Sequence, residues 1–250
     1  MNKLTKVLLF LFLSVRFAFP GDCTFKRWEN YFRTDWKLTR KEINTDHLLY
    51  TGAGLIVLYG LSRYDDTLVK NMRDAYKGRF RNYLDLANEL GNGWYVIPGT
   101  ILVTGTSLLT GDEKFQDAAF TSMQSVLITD IIVGIIKFSA GRSRPETRTG
   151  VYDFKPFSGS VSFPSGHAST AFAFITPWIL YYPGPLTYAL FVLPAGTALA
   201  RMSKEKHWAT DVLAGSFIGF FVSYMLKKWH IRTSQDTGQG TTKIQFNLVL

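Results

Sequence analysis

The chain has 250 residues, of which 46% are hydrophobic and 15% aromatic, and its 28 Lys and Arg against 19 Asp and Glu give a formal charge of +9. This composition excludes a disordered or collagen-like chain, and a single cysteine excludes a fold held by internal disulfides. The positive charge favours an anionic partner, such as a phosphorylated substrate or an acidic membrane surface. The basic residues follow no recognised nucleic-acid-binding pattern, so we expect no nucleic-acid partner, and no feature points to a protein partner.

The N-terminus has the pattern of a secretory signal. A basic start at Lys3 and Lys6 precedes an apolar run over 7–15, which is short for a membrane crossing. Arg16 interrupts this pattern and no small-residue cleavage site follows, so an uncleaved anchor is the alternative. We therefore interpret 1–21 as a signal peptide or N-terminal anchor. It predicts an exported protein.

Six apolar segments follow, and each is long enough for a helix but too long for a typical strand. They lie at 47–62, 94–110, 118–139, 167–182, 185–200 and 208–226. They predict an all-α fold built on six core helices. Short turns rich in glycine, proline or charge, at 111–114 and 183–185, predict that the helices they join pack antiparallel. Between the first and second core helices, 63–93 has the spacing of one or two amphipathic surface helices.

The number of membrane crossings stays open at this level. Most of the apolar segments are at or below the length of about 20 residues that a crossing requires. With six crossings, the two sides would carry 11 and 13 Lys and Arg, so charge prefers neither orientation. A cleaved signal and six crossings would also place the loops 140–165 and 201–207 in the cytoplasm. We therefore expect an exported helical bundle that touches the membrane without every helix crossing it.

The first of three polar clusters is at the end of the third segment. Lys137 ends an apolar helix, and Arg142 and Arg144 follow on a glycine-containing turn that stops at Pro145. Lysine supplies a point charge and arginine a planar fork, the two side chains best suited to phosphate oxygens. The alternative is a solvated helix end whose cations interact with the helix dipole.

The second cluster opens the fourth segment. Ser165 is a candidate N-cap, and Gly166 lets the backbone approach an anion at the positive end of the helix dipole. His167 is a candidate general acid, because the reference pKa of histidine, about 6.5, suits proton transfer at neutral pH. A capped helix start with a surface histidine is the alternative.

The third cluster begins at Arg201 and opens the sixth segment. His207 and Asp211 are four residues apart, so on a helix they share one face, and the carboxylate can accept a bond from one imidazole nitrogen. The other nitrogen is then a nucleophile, unless the pair is only a structural hydrogen bond. No third ligand of the Cys or His type lies nearby, so we expect neither a metal nor another cofactor.

Taken together, the clusters resemble the motifs of the type 2 phosphatidic acid phosphatase and vanadium haloperoxidase superfamily. They read Lys137-x6-Arg144-Pro145, then Pro164-Ser165-Gly166-His167, then Arg201-x5-His207-x3-Asp211, in this order. The resemblance implies an all-α bundle of the acid phosphatase and haloperoxidase type. It places the phosphatase domain at 47–230, an N-terminal extension at 22–46 and a C-terminal tail at 231–250.

The resemblance also implies how a phosphoryl group is held. Lys137, Arg144 and Arg201 would bind its oxygens, and Ser165 and Gly166 would add further hydrogen bonds.

The same resemblance implies the chemistry. His207 would attack phosphorus to form a phosphohistidine, His167 would protonate the leaving alcohol, and Asp211 would orient His207. We therefore expect a metal-independent phosphatase acting on a phospholipid or another lipid phosphate. The alternatives are a soluble acid phosphatase of broad specificity, a vanadate-dependent haloperoxidase, and an envelope protein that binds phospholipid without turnover.

Two other ionisable residues carry expectations. His230, beside Lys228, is expected to be solvated. Asp130 lies two helical turns before Lys137, so it should either pair with that lysine or face the interior of the bundle, and we favour the interior.

Overall fold

The computed structural model describes residues 23–42, 45–76 and 81–237. In these ranges the regular structure is α-helix and short 3₁₀ turns, with one isolated bridge between Arg142 and Phe154, which confirms the predicted all-α class. The predicted signal or anchor at 1–21 and most of the predicted tail lie outside the described residues.

The helices agree with the predicted segments. They are α1 (Cys23–Glu42), α2 (Thr45–Leu61), α3 (Asp65–Tyr76), α4 (Arg81–Glu89), α5 (Gly93–Ser107), α6 (Glu113–Ala140), α7 (Gly166–Tyr181), α8 (Pro185–Tyr188), α9 (Val192–Ser203) and α10 (Ala209–Thr237). Five of the six apolar segments coincide with α2, α5, α6, α7 and α10, and the segment 185–200 is divided between α8 and α9. The amphipathic helices expected between the first and second core helices are α3 and α4. Helix α1, in the predicted extension, was not foreseen.

Helices α6, α7 and α10 form the centre of the bundle, since each packs against the other two. The backbones of α7 and α10 approach each other very closely. A Cβ atom added to Gly215 would lie 2.3 Å from the backbone oxygen of Ser165, and one added to Gly219 would lie 2.3 Å from that of Ser169. Only glycine permits such an approach. The first turns of α7 and α10 therefore lie side by side.

Helix α1 is attached to α6 and α10 through buried polar contacts. Arg27 Nε donates to Asp117 Oδ1 at 2.9 Å, and His230 Nε2 lies 3.2 Å from Asp35 Oδ2. The imidazole also stacks on Tyr31, with the ring centroids 4.2 Å apart. The expectation that His230 is solvated is therefore wrong: it is 1% exposed, because the unforeseen helix α1 covers it.

The contacts with α1 and the three polar clusters lie at opposite ends of α6 and α10. Asp117, which binds Arg27, is in the first turns of α6, whereas Lys137 is in its last turn. A separation of 20 residues corresponds to about 30 Å along an α-helix. The three polar clusters are thus remote from the attachment of α1.

Two described helices, Glu113–Ala140 and Ala209–Asp236, are long and apolar enough to cross a membrane. Half of the apolar stretch of each is buried inside the protein. A core helix and a membrane-crossing helix both fit these features, so the number of crossings remains a prediction.

The close contact of α7 with α10 yields a test. We expect Gly219→Ala to lower the free energy of unfolding by about 1–3 kcal/mol, because the new methyl group meets the backbone of α7. Gly134→Ala on α6 is the matched control, since no atom lies within 4 Å of its added Cβ, and it should be neutral or stabilising by up to about 1 kcal/mol. Thermal unfolding of both variants in one buffer measures the difference; equal effects would contradict the tight packing.

Candidate active site

Lys137 is held at the end of α6 by the chain that leads into α7. Its Nζ donates to the backbone oxygen of Val161 at 2.7 Å. Asp130 does not make the alternative ion pair with it: Asp130 Oδ1 accepts a bond from Thr170 Oγ1 of α7 at 2.7 Å. The interior role of Asp130 is confirmed, and Lys137 is fixed by backbone groups instead.

Arg144 and Arg201 bring guanidinium groups from two separate parts of the chain. Arg144 precedes the 3₁₀ turn Pro145–Thr147, and Arg201 lies in the last turn of α9, where its Nη1 donates to Asn88 Oδ1 at 3.0 Å. The Nε atom of each arginine is buried and has no hydrogen-bond partner within the described ranges. Buried N–H groups nearly always have a partner in folded proteins, so these two donors are suited to an anion.

The start of α7 adds the positive end of a helix. Ser165 is the N-cap, as predicted, and its Oγ accepts from the backbone N–H of Ala168 at 3.5 Å. Its own N–H donates to the backbone oxygen of Asp211 at 2.8 Å, which ties α7 to α10. A Cβ atom added to Gly166 would lie 3.5 Å from Lys137 Cε. The helix dipole and the lysine charge therefore act on the same space.

His207 lies in the loop before α10, two residues ahead of Ala209, the first residue of that helix. Its Nδ1 is 2.8 Å from the backbone oxygen of Ser162 and 3.8 Å from Asp211 Oδ2. The expected direct bond from His207 to Asp211 is therefore replaced by a bond to Ser162, because a residue ahead of the helix does not share its face. A carbonyl oxygen only accepts, so Nδ1 carries the proton and Nε2 of the neutral ring has the free lone pair.

The structure brings the predicted cations and histidines together. The charges of Arg144 and Arg201 act on Lys137, and those of Lys137 and Arg201 act on both His167 and His207. Such coupling requires proximity. Five side chains, from the end of α6, the following turn, the start of α7, the end of α9 and the loop before α10, thus lie close enough for their charges to interact.

Both histidines are neutral at neutral pH. Burial lowers the pKa of His207 from 6.5 to about 4, against the opposing effect of Asp211. Burial and the charge of Arg201 lower the pKa of His167 from 6.5 to about 3. The neutral form is the nucleophilic form of His207. An anion bound among these cations favours the protonated form of His167, which is the form a general acid requires.

Four residues near the site, Asn88, Ser162, Arg142 and Asp65, were not assigned a role from the sequence. Asn88 binds Arg201 from the end of α4, and Ser162 binds His207 through its backbone oxygen. Arg142, noted only as part of a basic cluster, is 2% exposed and pairs with Asp65 and Asp211. The position of Arg142 beside Arg144 was the one available signal; the others lie on no motif.

The low pKa of His207 predicts a loss of stability in mild acid. The unfolded chain binds a proton at His207 below about pH 6.5, whereas the folded chain does so only near pH 4. The free energy of unfolding should therefore fall between pH 6.5 and 4, by up to about 1.4 kcal/mol per pH unit from this group. Thermal unfolding from pH 7.5 to 5 measures the slope. His207→Gln should lower the slope and leave the part that His167 contributes; an unchanged slope would refute the assignment.

Comparison with known families gives a match to part of the chain. Residues 118–234 match the model of the PAP2 superfamily. That range contains every residue of the three clusters.

The chain is also similar to named relatives. It is 32% identical over 103 residues to a lipid A 1-phosphatase of Rhizobium etli, covering 39% of this chain and 44% of that protein. It is 34% identical over 160 residues to a lipid A 1-phosphatase of Porphyromonas gingivalis, covering 63% of this chain and 33% of that protein. The chain thus spans less than half the length of each of these relatives.

Among solved structures, the crystal structure of Aquifex aeolicus LpxE superposes with a TM-score of 0.44 at 20% identity, over 64% of this chain and 93% of that one. Residues 118–234, which contain the three motifs, therefore resemble the PAP2 superfamily, and the relatives named above are lipid phosphatases by name.

Proposed function

We propose that this chain is a metal-independent phosphatase that hydrolyses a lipid phosphate monoester or diphosphate through a phosphohistidine intermediate. The observation that supports it most directly is the convergence of three cations and two histidines at the start of α7. A site that only binds an anion needs the cations. A pair of neutral histidines in the same space adds a nucleophile and a proton donor, which binding alone does not require.

The cations bind and activate the phosphoryl group. In its transition state this group spreads negative charge over three equatorial oxygens, and fixed positive groups stabilise that charge. Lys137 supplies a point charge, and Arg144 and Arg201 each offer a buried Nε donor. Ser165 and Gly166 contribute the positive end of α7.

The two histidines carry out the transfer of the phosphoryl group. Nε2 of His207 attacks phosphorus as the bond from phosphorus to the leaving oxygen breaks, and protonated His167 gives its proton to that oxygen. His167, now neutral, then accepts a proton from the water that attacks the phosphohistidine. Breaking of the N–P bond releases phosphate and restores neutral His207. Asp211 stabilises the positive ring while it exists, and Ser162 fixes its orientation.

A membrane-borne substrate fits the surface of the protein. Large apolar side chains are exposed on several helices, including Ile56 of α2, Trp94 and Leu102 of α5, and Phe217 of α10. The names of the relatives point to the phosphate of lipid A as a candidate substrate. We place the protein at the membrane of the bacterial envelope, with the site on the periplasmic side.

Loss of the nucleophile is the first test. His207→Ala should lower phosphate release by at least about 10³-fold while the protein stays folded, because no other group can form the intermediate. His230→Ala is the matched control, since His230 is an equally buried histidine at the far end of α10. Release of inorganic phosphate is measured from lipid A, phosphatidate and a water-soluble ester, with and without chelator.

Each of these comparisons, together with a separate assay of bromide oxidation, decides one point. Full activity of His207→Ala would exclude the covalent mechanism, and loss of activity with chelator would exclude metal independence. Preference for the water-soluble ester would favour a soluble acid phosphatase. Bromide oxidation in added vanadate would instead indicate a haloperoxidase.

A second test concerns the phosphoryl-binding arginines. Arg144→Ala should lower kcat by about 10²–10³-fold, as expected for the loss of one donor to transition-state charge. Arg148→Ala, four residues further on, is the control. Arg148 makes an exposed ion pair with Glu205 Oε1 at 2.8 Å, and such pairs contribute little. Steady-state kinetics on the best substrate compares the two; similar losses in both variants would contradict the role of Arg144.

A further inference from the structure

Behind His207 lies a buried ionic network that phosphoryl binding does not explain. Arg142 Nη1 donates to Asp211 Oδ1 at 2.5 Å, and its Nη2 donates to Asp65 Oδ2 at 2.8 Å. The side chains of the two aspartates are 0% exposed and that of Arg142 is 2% exposed. One guanidinium between two carboxylates leaves a net charge of −1. The network joins the start of α3 to the start of α10.

Further bonds fix the carboxylate of Asp65. The backbone N–H of Thr210 donates to Asp65 Oδ1 at 2.9 Å, and the Thr210 hydroxyl donates to Asp65 Oδ2 at 2.6 Å. Nη1 of Arg142 donates to the same hydroxyl oxygen at 2.9 Å. Nε and Nη2 of Arg142 both donate to the backbone oxygen of Val151, at 3.0 and 2.9 Å. The guanidinium therefore has one well-defined position.

The network reaches the nucleophile through Asp211 and Ser162. Asp211 Oδ2 accepts from Ser162 Oγ at 2.5 Å and from the Trp208 backbone N–H at 2.9 Å. The backbone oxygen of Ser162 in turn accepts from Nδ1 of His207 at 2.8 Å. A shift of Arg142 would therefore move Asp211, then Ser162, then the ring.

Charge gives Asp65 a second effect. Attack on phosphorus makes the His207 ring positive, and a negative group nearby stabilises it. An isolated pair of Arg142 with Asp211 would be neutral and would stabilise the ring little. The second carboxylate, Asp65, makes the network negative again. Burying such an ion is costly, and apolar replacements of buried ion pairs are often neutral or stabilising, so stability alone does not account for it.

The other groups that face the ring act in the opposite direction. They are Lys137 from α6, Arg201 from α9 and His167 from α7, and the carboxylate of Asp211 from α10 acts on the ring directly.

We propose that Asp65 is a positioning residue for phosphoryl transfer: acting through Arg142, it holds Asp211 in place and keeps the network negative, so that the cationic form of His207 is stabilised. This inference rests on the proposed role of His207 as the nucleophile.

The test is Asp65→Asn, which keeps the shape and removes the charge. We expect kcat to fall about 10–100-fold, as for other groups that orient a site from behind its ligands, with KM within about threefold of wild type. The acidic limb of the kcat/KM profile, which reports protonation of free His207, should move to lower pH, because a less negative network disfavours the charged ring.

Asp117→Asn is the matched control. Asp117 is also buried and also shares one buried arginine, Arg27, with a second carboxylate, Glu113, but at the far end of α6. The Asp117→Asn variant should lose stability without a change in kcat or in the pH profile. All variants are compared at a temperature where each is folded, on a phosphate ester that the wild type hydrolyses.

A second variant tests the network in case Asp65→Asn does not fold. Thr210→Val removes both hydroxyl bonds of the network but keeps the backbone bond to Asp65 and the charge of its carboxylate, so it should lower kcat severalfold and leave the acidic limb in place. An unmoved acidic limb in Asp65→Asn, even with lower kcat, would overturn the inference, as would an unchanged kcat in Thr210→Val or an equal kcat loss in Asp117→Asn. A wild type without phosphatase activity, or an active His207→Ala, would instead overturn the proposed function.

Discussion

The close approach of α7 and α10 is the constraint on which the site depends. Gly215 and Gly219 let the two backbones come together, and the N–H of Ser165 then donates to the backbone oxygen of Asp211. This contact sets the N-terminus of α7 beside the loop that carries His207. Because the residues are far apart in sequence, this packing, rather than any local turn, determines the distance between the proposed nucleophile and the proposed anion-binding groups.

The resulting concentration of positive charge opposes folding, because like charges in a partly buried space repel one another. Two buried carboxylates offset this positive charge. Asp211 and Asp65 both pair with the guanidinium of Arg142, so a buried negative charge lies near the cations. Proteins commonly sacrifice stability at sites in this way.

The positions of the core helices and most candidate residues of the site could be predicted, because apolar runs and short motifs are local features of the sequence. Helix α1 could not, because its buried side mixes the apolar residues Phe25, Trp28 and Tyr31 with the charged residues Arg27 and Asp35. The burial of His230 could not be predicted either, because α1 is the helix that covers it. The bond of His207 to Ser162 depends on where α10 begins, and the pairing of Asp65 with Arg142 depends on tertiary packing. Neither contact can be predicted from the spacing of residues in the sequence.

The two buried Nε donors of Arg144 and Arg201 also affect the last stage of each turnover. Inorganic phosphate, the product of the proposed reaction, has the same tetrahedral oxygens as the group being transferred, so the arginines would bind both alike. Departure of phosphate would have to break those contacts. An enzyme built this way is expected to be slowed by its own end product, with turnover governed by release as much as by bond cleavage.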